Sequence, residues 1–266
     1  MSKVKFIEDT HQYLTEDDRE LISVSAFTER FKPKVDWKAV AKKVAAKKTR
    51  EGEPTTAEDI LKKWEDKRDL SAKIGTILHS MKEEELLQQE NPIFYNTPCS
   101  IKNCSYTGTD KWSIPINKLE NNTAYPELMI YDFEYMICGQ SDKVIVANNK
   151  INIWDYKTDA EIKYKAFSSQ WVKPQKLLGP LGHLDDCNAN IYSIKMSLYM
   201  YLLWKANRGT LRTGDIIIEH VHLERDEDGL PILKDEKPIV KKIEQIQLPY
   251  RKKEVMDMLE TLKVKA

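Results

Sequence analysis

The stretch SDKVIVANNKINIWDYKT, residues 141–158, decides the fold class. Two runs rich in apolar and β-branched residues flank Asn148-Asn149, and asparagine tolerates the positive φ angles that a two-residue hairpin turn requires. With that turn, Val146 lies opposite Ile151, and every second residue of each strand points to the same face. The stretch therefore predicts an antiparallel β-hairpin with one apolar face.

Charged residues stand at the far end of this apolar face. The same register sets Asp142 opposite Asp155, and Lys157 follows two residues later on the same strand and face. Carboxylates on directly opposed residues, whose Cβ atoms lie about 4.5–5.5 Å apart, repel each other. Such a pair either takes up a proton or binds a cation, and oxygen ligands favour Mg²⁺ or Mn²⁺. The alternative is an exposed hairpin end at which Lys157 neutralises both aspartates.

These three side chains together indicate a reaction. A divalent ion held by Asp142 and Asp155 would lower the pKa of a bound water and polarise a phosphoryl oxygen. Lys157 beside that ion could position the attacking water or balance the charge that builds on the phosphate. The sequence therefore favours hydrolysis of phosphodiester bonds.

A second polar group lies on a predicted helix. His79 and Glu83 are one helical turn apart, and Gly75 and Thr76 lie one turn before the histidine, so all four share one stripe. The small residues leave room for a ligand to approach the imidazole. His79 and Glu83 could share a metal or orient each other, although the same spacing also occurs by chance on helices without a site.

Patterns outward from the hairpin predict a mixed α/β fold. Residues 3–24 favour a hairpin with a charged turn at 16–19, and a helix follows with Asp36 as its N-cap. A long helix begins at Thr55 or Thr56 and reaches about Glu90, with a candidate break at 69–71.

The second half of the chain alternates between strands and a helix. Beyond the hairpin, the pattern predicts a helix over 191–206, strands over 215–223 and 239–247, and a final helix after Pro249. The fold class is α/β with a mixed α+β sheet, a central and mostly antiparallel meander flanked by helices. We expect one domain over residues 1–266, with an N-terminal hairpin and helical extension (about 1–55) and a loop insertion at about 168–190.

The charge distribution is uneven although the net charge is zero, with 42 basic and 42 acidic residues. Residues 32–50 contain eight basic residues and one acidic residue, and the stretch from 51 to 90 is net acidic. Lys43, Lys47 and Arg50 lie outside the apolar stripe of the first predicted helix. They form either a strip that binds DNA phosphates or a solvated face that neighbouring acidic residues neutralise.

Composition also limits the compartment. Residues 1–25 lack the apolar core of a signal peptide, and no apolar run reaches the ~20 residues that span a bilayer. Four cysteines lack the paired spacing of a zinc site, so we expect reduced thiols in a cytoplasmic protein without a membrane partner.

Taken in order, the short motifs of this chain resemble the PD-(D/E)XK nuclease superfamily, in its RecB-like and phage exonuclease-like branch. The motifs are GTILHSMKE (75–83), PE (126–127), GQSD (139–142), DYKT (155–158) and YSIKMSLYMYLL (192–203). The resemblance implies a restriction-endonuclease-like core and a DNA nuclease of a phage or mobile element, active in recombination or end processing. A structure-specific endonuclease and a catalytically silent DNA-binding module of the same fold are the alternatives.

The resemblance also assigns roles to single residues. It implies four ligands for Mg²⁺ or Mn²⁺, which are His79, Asp142, Asp155 and the main-chain carbonyl of Tyr156. Lys157 would be the catalytic lysine. Asp142, Asp155 and Glu127 would be catalytic with it, and Glu127 would support the metal or the hydrogen bonds of the site. Glu83 is equally well explained as a charge on the helix surface.

Two departures from the family pattern affect DNA and cofactor binding. The helical motif normally carries a glutamine four residues before a tyrosine, and here Lys195 precedes Tyr199. A lysine can contact phosphate as a point charge, so we expect Lys195 and Tyr199 to contact DNA, unless the tyrosines only pack. No cysteine follows Cys187, so we expect no iron–sulfur cluster. The sequence leaves open the strand polarity, a homo-oligomer and a recombination partner protein.

Overall fold

A computed structural model of the chain describes residues 3–7, 10, 12–104, 112–168 and 173–263. The helices in this part of the chain are α1 (Val24–Glu29), α2 (Trp37–Arg50), α3 (Ala57–Leu87), α4 (Asn188–Ala206) and α5 (Lys252–Lys263). The longer strands are β1 (Val4–Ile7), β2 (Gln12–Thr15), β3 (Glu20–Ser23), β7 (Thr123–Asp132), β8 (Ile137–Ala147), β9 (Lys150–Lys157), β10 (Arg212–Leu223) and β13 (Val240–Leu248). Five two-residue strands complete the set: β4 (Ile93–Phe94), β5 (Thr97–Pro98), β6 (Ser100–Ile101), β11 (Leu233–Lys234) and β12 (Lys237–Pro238).

The predicted hairpin is formed by β8 and β9. Asn148 and Asn149 have φ angles of 53° and 57°, as a two-residue turn of this type requires. The strands pair from Ala147 opposite Lys150 onward in the predicted register, with Val146 opposite Ile151. This part of the sequence prediction is confirmed.

The central sheet is mixed in direction. β7, β8 and β9 form an antiparallel meander, and β10 then pairs with β9 in parallel after α4 has crossed between them. β13 closes this side as an antiparallel partner of β10. The structure thus confirms a mixed α/β fold with a mostly antiparallel meander flanked by helices.

Helices cover both faces of the sheet because each strand alternates its side chains. Val144 and Ile153 belong to the buried cluster that α4 completes on one face. On the other face, Ile74 and Leu78 of α3 pack against Tyr156 in a separate buried cluster. The candidate catalytic residues at the end of β9 therefore lie between α4 on one face of the sheet and α3 on the other.

The N-terminal region differs from the prediction in strand number. The turn at 16–19 joins β2 and β3 as predicted, but β1 adds a third strand to this antiparallel group. β3 then runs parallel to the beginning of β8, where Ile22 lies opposite Ile137. The extension is thereby joined to the central sheet.

The long helix α3 has no break in the structure. Thr56 is its N-cap, and Thr56 and Asp59 form a reciprocal capping box that satisfies two free backbone N–H groups. The helix continues through the candidate break at 69–71 to Leu87. Polar residues alone were thus a poor signal of a helix end.

The stretch interpreted as a loop insertion, 168–190, is packed where the structure describes it. Leu177, Leu181 and Leu184 are buried in the main core, and α4 begins at Asn188 rather than after 190. Residues 169–172 lie outside the described part of the chain. These leucines anchor the connection to the core. The polar composition of the stretch gave no indication of this packing.

Among the described residues, no helix is long and apolar enough to span a bilayer. All four cysteines are buried free thiols.

Candidate metal centre

The candidate centre lies where β9 separates from β8. Their backbone ladder ends with Lys143 opposite Trp154, one pair before Asp142 and Asp155. In place of the next ladder bond, the carboxylate Oδ2 of Asp142 accepts a hydrogen bond from the main-chain N–H of Tyr156, at 2.7 Å. Where the ladder opens, the side chain of Asp142 therefore links β8 to β9 by this hydrogen bond.

Both aspartates are buried, with 9% exposure for Asp142 and 4% for Asp155. The alternative of an exposed, lysine-neutralised hairpin end therefore does not fit. Both carboxylates also act on the same neighbour, because burial first and then the charges of Asp155 and Asp142 raise the pKa of Tyr199. The two acidic groups thus lie on the α4 side of the sheet, close to one buried phenol.

His79 on α3 completes a compact group with two carboxylates. Its Nδ1 lies 3.4 Å from Oδ1 of Asp142 and 3.8 Å from Oε1 of Glu127. One ligand atom from each of these residues lies within 4.8 Å of the others, a spacing that suits a common metal ion. The paired strands β7 and β8 supply the two carboxylates, and the helix α3 supplies the histidine.

Glu127 is held in an unusual backbone conformation. Its φ of +47° lies in the left-handed region, which costs a glutamate of the order of 1 kcal/mol or more. The β7–β8 ladder runs from Pro126 opposite Lys143 to Leu128 opposite Ser141 on either side of this residue. Such local strain is frequent at functional sites, where surrounding structure holds it.

Gln140 fixes the other oxygen of this carboxylate. Its Nε2 donates a hydrogen bond to Oε2 of Glu127, at 2.9 Å. This leaves Oε1 directed to His79. The sequence prediction placed Glu127 among the catalytic residues, as a support for the metal or the hydrogen bonds. It gave Gln140 no role, although Gln140 and Asp142 are two residues apart on one strand and therefore share a face.

The electrostatics show an excess of negative charge. Burial first, and repulsion from Asp155 second, raise the pKa of Asp142 to about 7. The pKa of His79 is raised because the charges of Asp142 and Glu127 outweigh the opposing effect of burial. Burial and the neighbouring carboxylate thus disfavour the ionised form of Asp142, and a divalent cation beside it would favour that form.

Lys157 divides the predicted ligands into two groups. Its ammonium contacts the carboxylate of Asp155 and donates a hydrogen bond to the carbonyl oxygen of Tyr156, at 3.1 Å. Burial opposes the ionisation of Asp155, but Lys157 and then Lys195 lower its pKa overall. His79, Glu127 and Asp142 therefore form one group, and Asp155 and the Tyr156 carbonyl surround the lysine.

Glu83 is not a simple surface charge. Its Oε1 is buried and has no hydrogen-bond partner among the described residues, and burial followed by the charge of Glu127 raises the pKa of this carboxyl. The residue lies one turn after His79 on α3, as the helical spacing predicted. It adds a further acidic group to the edge of the centre.

The two predicted DNA contacts on α4 differ in exposure. Lys195 is half-buried and close enough to Asp155 to act on its charge. Tyr199 is only 2% exposed, so its assignment as a DNA contact is corrected: this residue packs in the core. A Cβ added to Gly139 would lie 2.7 Å from the Tyr199 hydroxyl, so the glycine makes room for the phenol.

The basic strip lies on α2, far along α3 from the centre. Lys43, Lys47 and Arg50 are exposed there, and Lys47 lies 3.7 Å from Glu51 in an ion pair. α2 packs on the N-terminal part of α3 around Ile60, which is 19 residues before His79, or roughly 28 Å along the helix. The strip does not contribute to the metal centre itself.

Compared with known proteins, the chain matches no protein-family model and has no significant match among curated proteins. The functional assignment therefore depends on the geometry of the centre and on the motifs that build it.

Proposed function

We propose that this chain is a Mg²⁺- or Mn²⁺-dependent deoxyribonuclease with the restriction-endonuclease-like core of the PD-(D/E)XK superfamily. The observation that carries the proposal is the meeting of two buried aspartates, His79 and Lys157 where the β8–β9 ladder opens. Each element of this arrangement was expected from the motif order. Within the described residues, this group combines ligands for a hard cation with a lysine.

The residues fit a divalent ion chemically. Asp142, Glu127 and His79 would hold it, with Asp155 and the Tyr156 carbonyl as ligands once Lys157 releases them. Carboxylate and carbonyl oxygens suit Mg²⁺ and Mn²⁺, and an imidazole is better tolerated by Mn²⁺. The raised pKa of Asp142 supports the fit, because a cation would compensate the repulsion that opposes ionisation.

A bound divalent ion would supply a water of lowered pKa and polarise a phosphoryl oxygen. The side chains around it orient the partners of hydrolysis. Lys157 places an ammonium beside Asp155, where it can balance negative charge that develops on a scissile phosphate. Gln140 keeps Glu127 directed to the centre.

DNA would approach along the α4 side and continue toward α2. Lys195 supplies a positive charge next to Asp155 and can contact a phosphate near the scissile bond. The strip formed by Lys43, Lys47 and Arg50 lies on α2, which packs against α3 around Ile60, roughly 28 Å along α3 from His79. It can position DNA by phosphate contacts without reading bases.

As the more specific part of the proposal, the enzyme is an exonuclease that processes ends in phage or mobile-element recombination. The buried free thiols support a reducing compartment, and we place the reaction in the cytoplasm. A structure-specific endonuclease is the alternative. Cleavage of linear, circular and single-stranded DNA distinguishes it from an exonuclease.

The test is digestion of linear duplex, covalently closed circular and single-stranded DNA with Mg²⁺, Mn²⁺ or EDTA. We expect cleavage of linear DNA with either metal, no cleavage with EDTA, and an approximately 10²–10³-fold slower reaction for Lys157→Ala. Lys163→Ala, an exposed lysine in the connection after β9, is the matched control and should cleave at the wild-type rate.

Cleavage that persists in EDTA, or an undiminished rate in Lys157→Ala, would falsify the mechanism. Cutting of closed circles would replace the exonuclease with an endonuclease. A wild-type chain that binds DNA but cuts none of these substrates would establish the silent binding module instead.

A further inference from the structure

We infer that His220, His222 and Glu244 form a second metal site, suited to Zn²⁺, outside the proposed nuclease centre. One ligand atom from each of the three residues lies within 4.8 Å of the others. No motif of the first centre includes them, and the site does not depend on the nuclease proposal.

Strand geometry brings the three residues together. His220 and His222 alternate on β10, so both side chains point to the same face of the sheet. β13 pairs with β10 antiparallel and places Glu244 directly opposite His220. The pattern His-Val-His on a strand beside an acidic residue of the neighbouring strand is the sequence signal for this site.

The hydrogen bonding of His220 leaves one ring nitrogen for a ligand. Its Nε2 lies 2.8 Å from the main-chain carbonyl oxygen of Asp159, which can only accept a hydrogen bond. Nε2 therefore carries the proton, and Nδ1 keeps its lone pair. A carbonyl that fixes the tautomer of a buried histidine is the usual support of a metal ligand.

The spacing of the other two ligands matches a metal coordination sphere. Nε2 of His222 lies 3.2 Å from Oε2 of Glu244. The ring centroids of His220 and His222 are 4.0 Å apart. Ligands at ~2.0–2.1 Å from a tetrahedral Zn²⁺ are separated by about 3.3 Å. The donor atoms of His222 and Glu244 thus already have the separation of two ligands of one ion, and a donor atom of His220 lies within 4.8 Å of both.

The donor set selects the class of metal. Two imidazoles and one carboxylate are a frequent ligand set of Zn²⁺, with a fourth position for water. The first centre has mainly carboxylates, which favour Mg²⁺ or Mn²⁺. A cavity of about 360 Å³ is lined by His222 and Arg225 and lies beside the three ligands.

A bound ion would stabilise the segment that follows the catalytic lysine. His220 lies opposite Lys157 on the parallel strand pair and holds the carbonyl of Asp159, whose carboxylate accepts a hydrogen bond from Tyr192 at 2.8 Å. Through Glu244, the ion would link this segment to the edge strand β13. We assign it a structural role next to the first centre.

A hydrogen-bonded surface network is the competing explanation. Lys242 lies 3.4 Å from the same carboxylate oxygen of Glu244 that faces His222, and both Lys242 and Glu244 are largely exposed. Such a network needs no ion. Metal binding separates the two explanations directly.

The experiment is calorimetric titration of Zn²⁺ into the full-length, tag-free and chelator-treated Asp142→Asn chain, which removes a ligand of the first centre. We expect one Zn²⁺ per chain, and an affinity more than ~100-fold lower after adding His222→Gln or Glu244→Gln, because loss of an outer partner alone costs ~10–100-fold. His183→Gln is the matched control, since His183 also pairs with a glutamate, Glu254 at 3.3 Å, but no second histidine of the described residues joins that pair.

An unchanged affinity in both His222→Gln and Glu244→Gln overturns the site, as does the absence of Zn²⁺ binding to the Asp142→Asn chain. An equal loss in His183→Gln also overturns it, because binding would then reflect any surface histidine. Glu244→Gln guards against misfolding, since this side chain is 51% exposed.

Discussion

The two candidate metal clusters are built in different ways. In the first, Glu127 and Asp142 lie on the paired strands β7 and β8 and the helix α3 adds His79, and burial opposes the charges of His79 and Asp142. His220 and His222 are neighbours on one strand, and the next strand adds Glu244. The first cluster therefore depends on tertiary packing and on a cation to balance its charge, whereas the second depends on strand register.

The largest expected effect is a reciprocal loss of metal binding. Asp142→Asn should weaken Mn²⁺ binding by more than ~100-fold and leave Zn²⁺ binding intact, and Glu244→Gln should do the reverse. Each substitution removes a charged ligand from one cluster only. Titration of both metals into both variants measures this, and loss of both metals in either variant would show that the clusters act as one site.

A pH-dependent stability should distinguish the first cluster in the metal-free chain. The pKa of Asp142 is raised to about 7 in the folded chain, so its contribution to stability is present near pH 4 and is lost as the pH rises to 7. The raised pKa of His79 acts in the same direction. We expect a loss of the order of 1–4 kcal/mol in the free energy of unfolding, an upper range from ~1.4 kcal/mol per pKa unit.

Urea unfolding in EDTA at pH 5 and pH 8 measures this loss. Asp142→Asn should remove most of it and should raise the stability of the metal-free chain at pH 8, because asparagine can still accept the N–H of Tyr156. If the wild-type chain were equally stable at both pH values, the ionisation of Asp142 would not be disfavoured in the folded chain, and this explanation would be refuted.

A smaller effect should follow from packing behind the first cluster. Gly139→Ala would place a Cβ 2.7 Å from the Tyr199 hydroxyl and 3.1 Å from Cβ of Val24, so we expect about 1–3 kcal/mol of destabilisation. Mn²⁺ affinity should fall with it, although no ligand is changed, while Zn²⁺ affinity stays constant. Chemical unfolding and the two titrations test this, and equal losses of both metals would contradict the separation.

The smallest effect concerns a second glycine of the same centre. A Cβ at Gly75 on α3 would meet nothing within 4 Å, so Gly75→Ala should stabilise the helix by about 0.5–1 kcal/mol. Urea unfolding beside Gly139→Ala provides the comparison. A destabilised Gly75→Ala chain would indicate that the space before His79 is needed by the fold.

Local chemistry explains which predictions were met. Asn148-Asn149 fixed the hairpin register, and Thr56 marked the start of α3, because turns and caps are satisfied by the residues themselves. The interruption expected at 69–71 is absent from α3, and the predicted loop insertion at 168–190 is irregular in its described residues but is held to the core by buried leucines. In both places, polar composition was given more weight than buried leucines and helical continuity.

By itself, the sequence determined the strands that carry Asp142, Asp155 and Lys157, and the helical turn that carries His79, because side-chain period and turn chemistry are local. Only the tertiary structure decided that the ladder opens before the two aspartates, that Glu127 joins His79, and that Tyr199 is buried instead of facing DNA. Those outcomes depend on how α3, α4 and β3 pack against the hairpin, and such long-range contacts leave no periodic signal in one segment of chain.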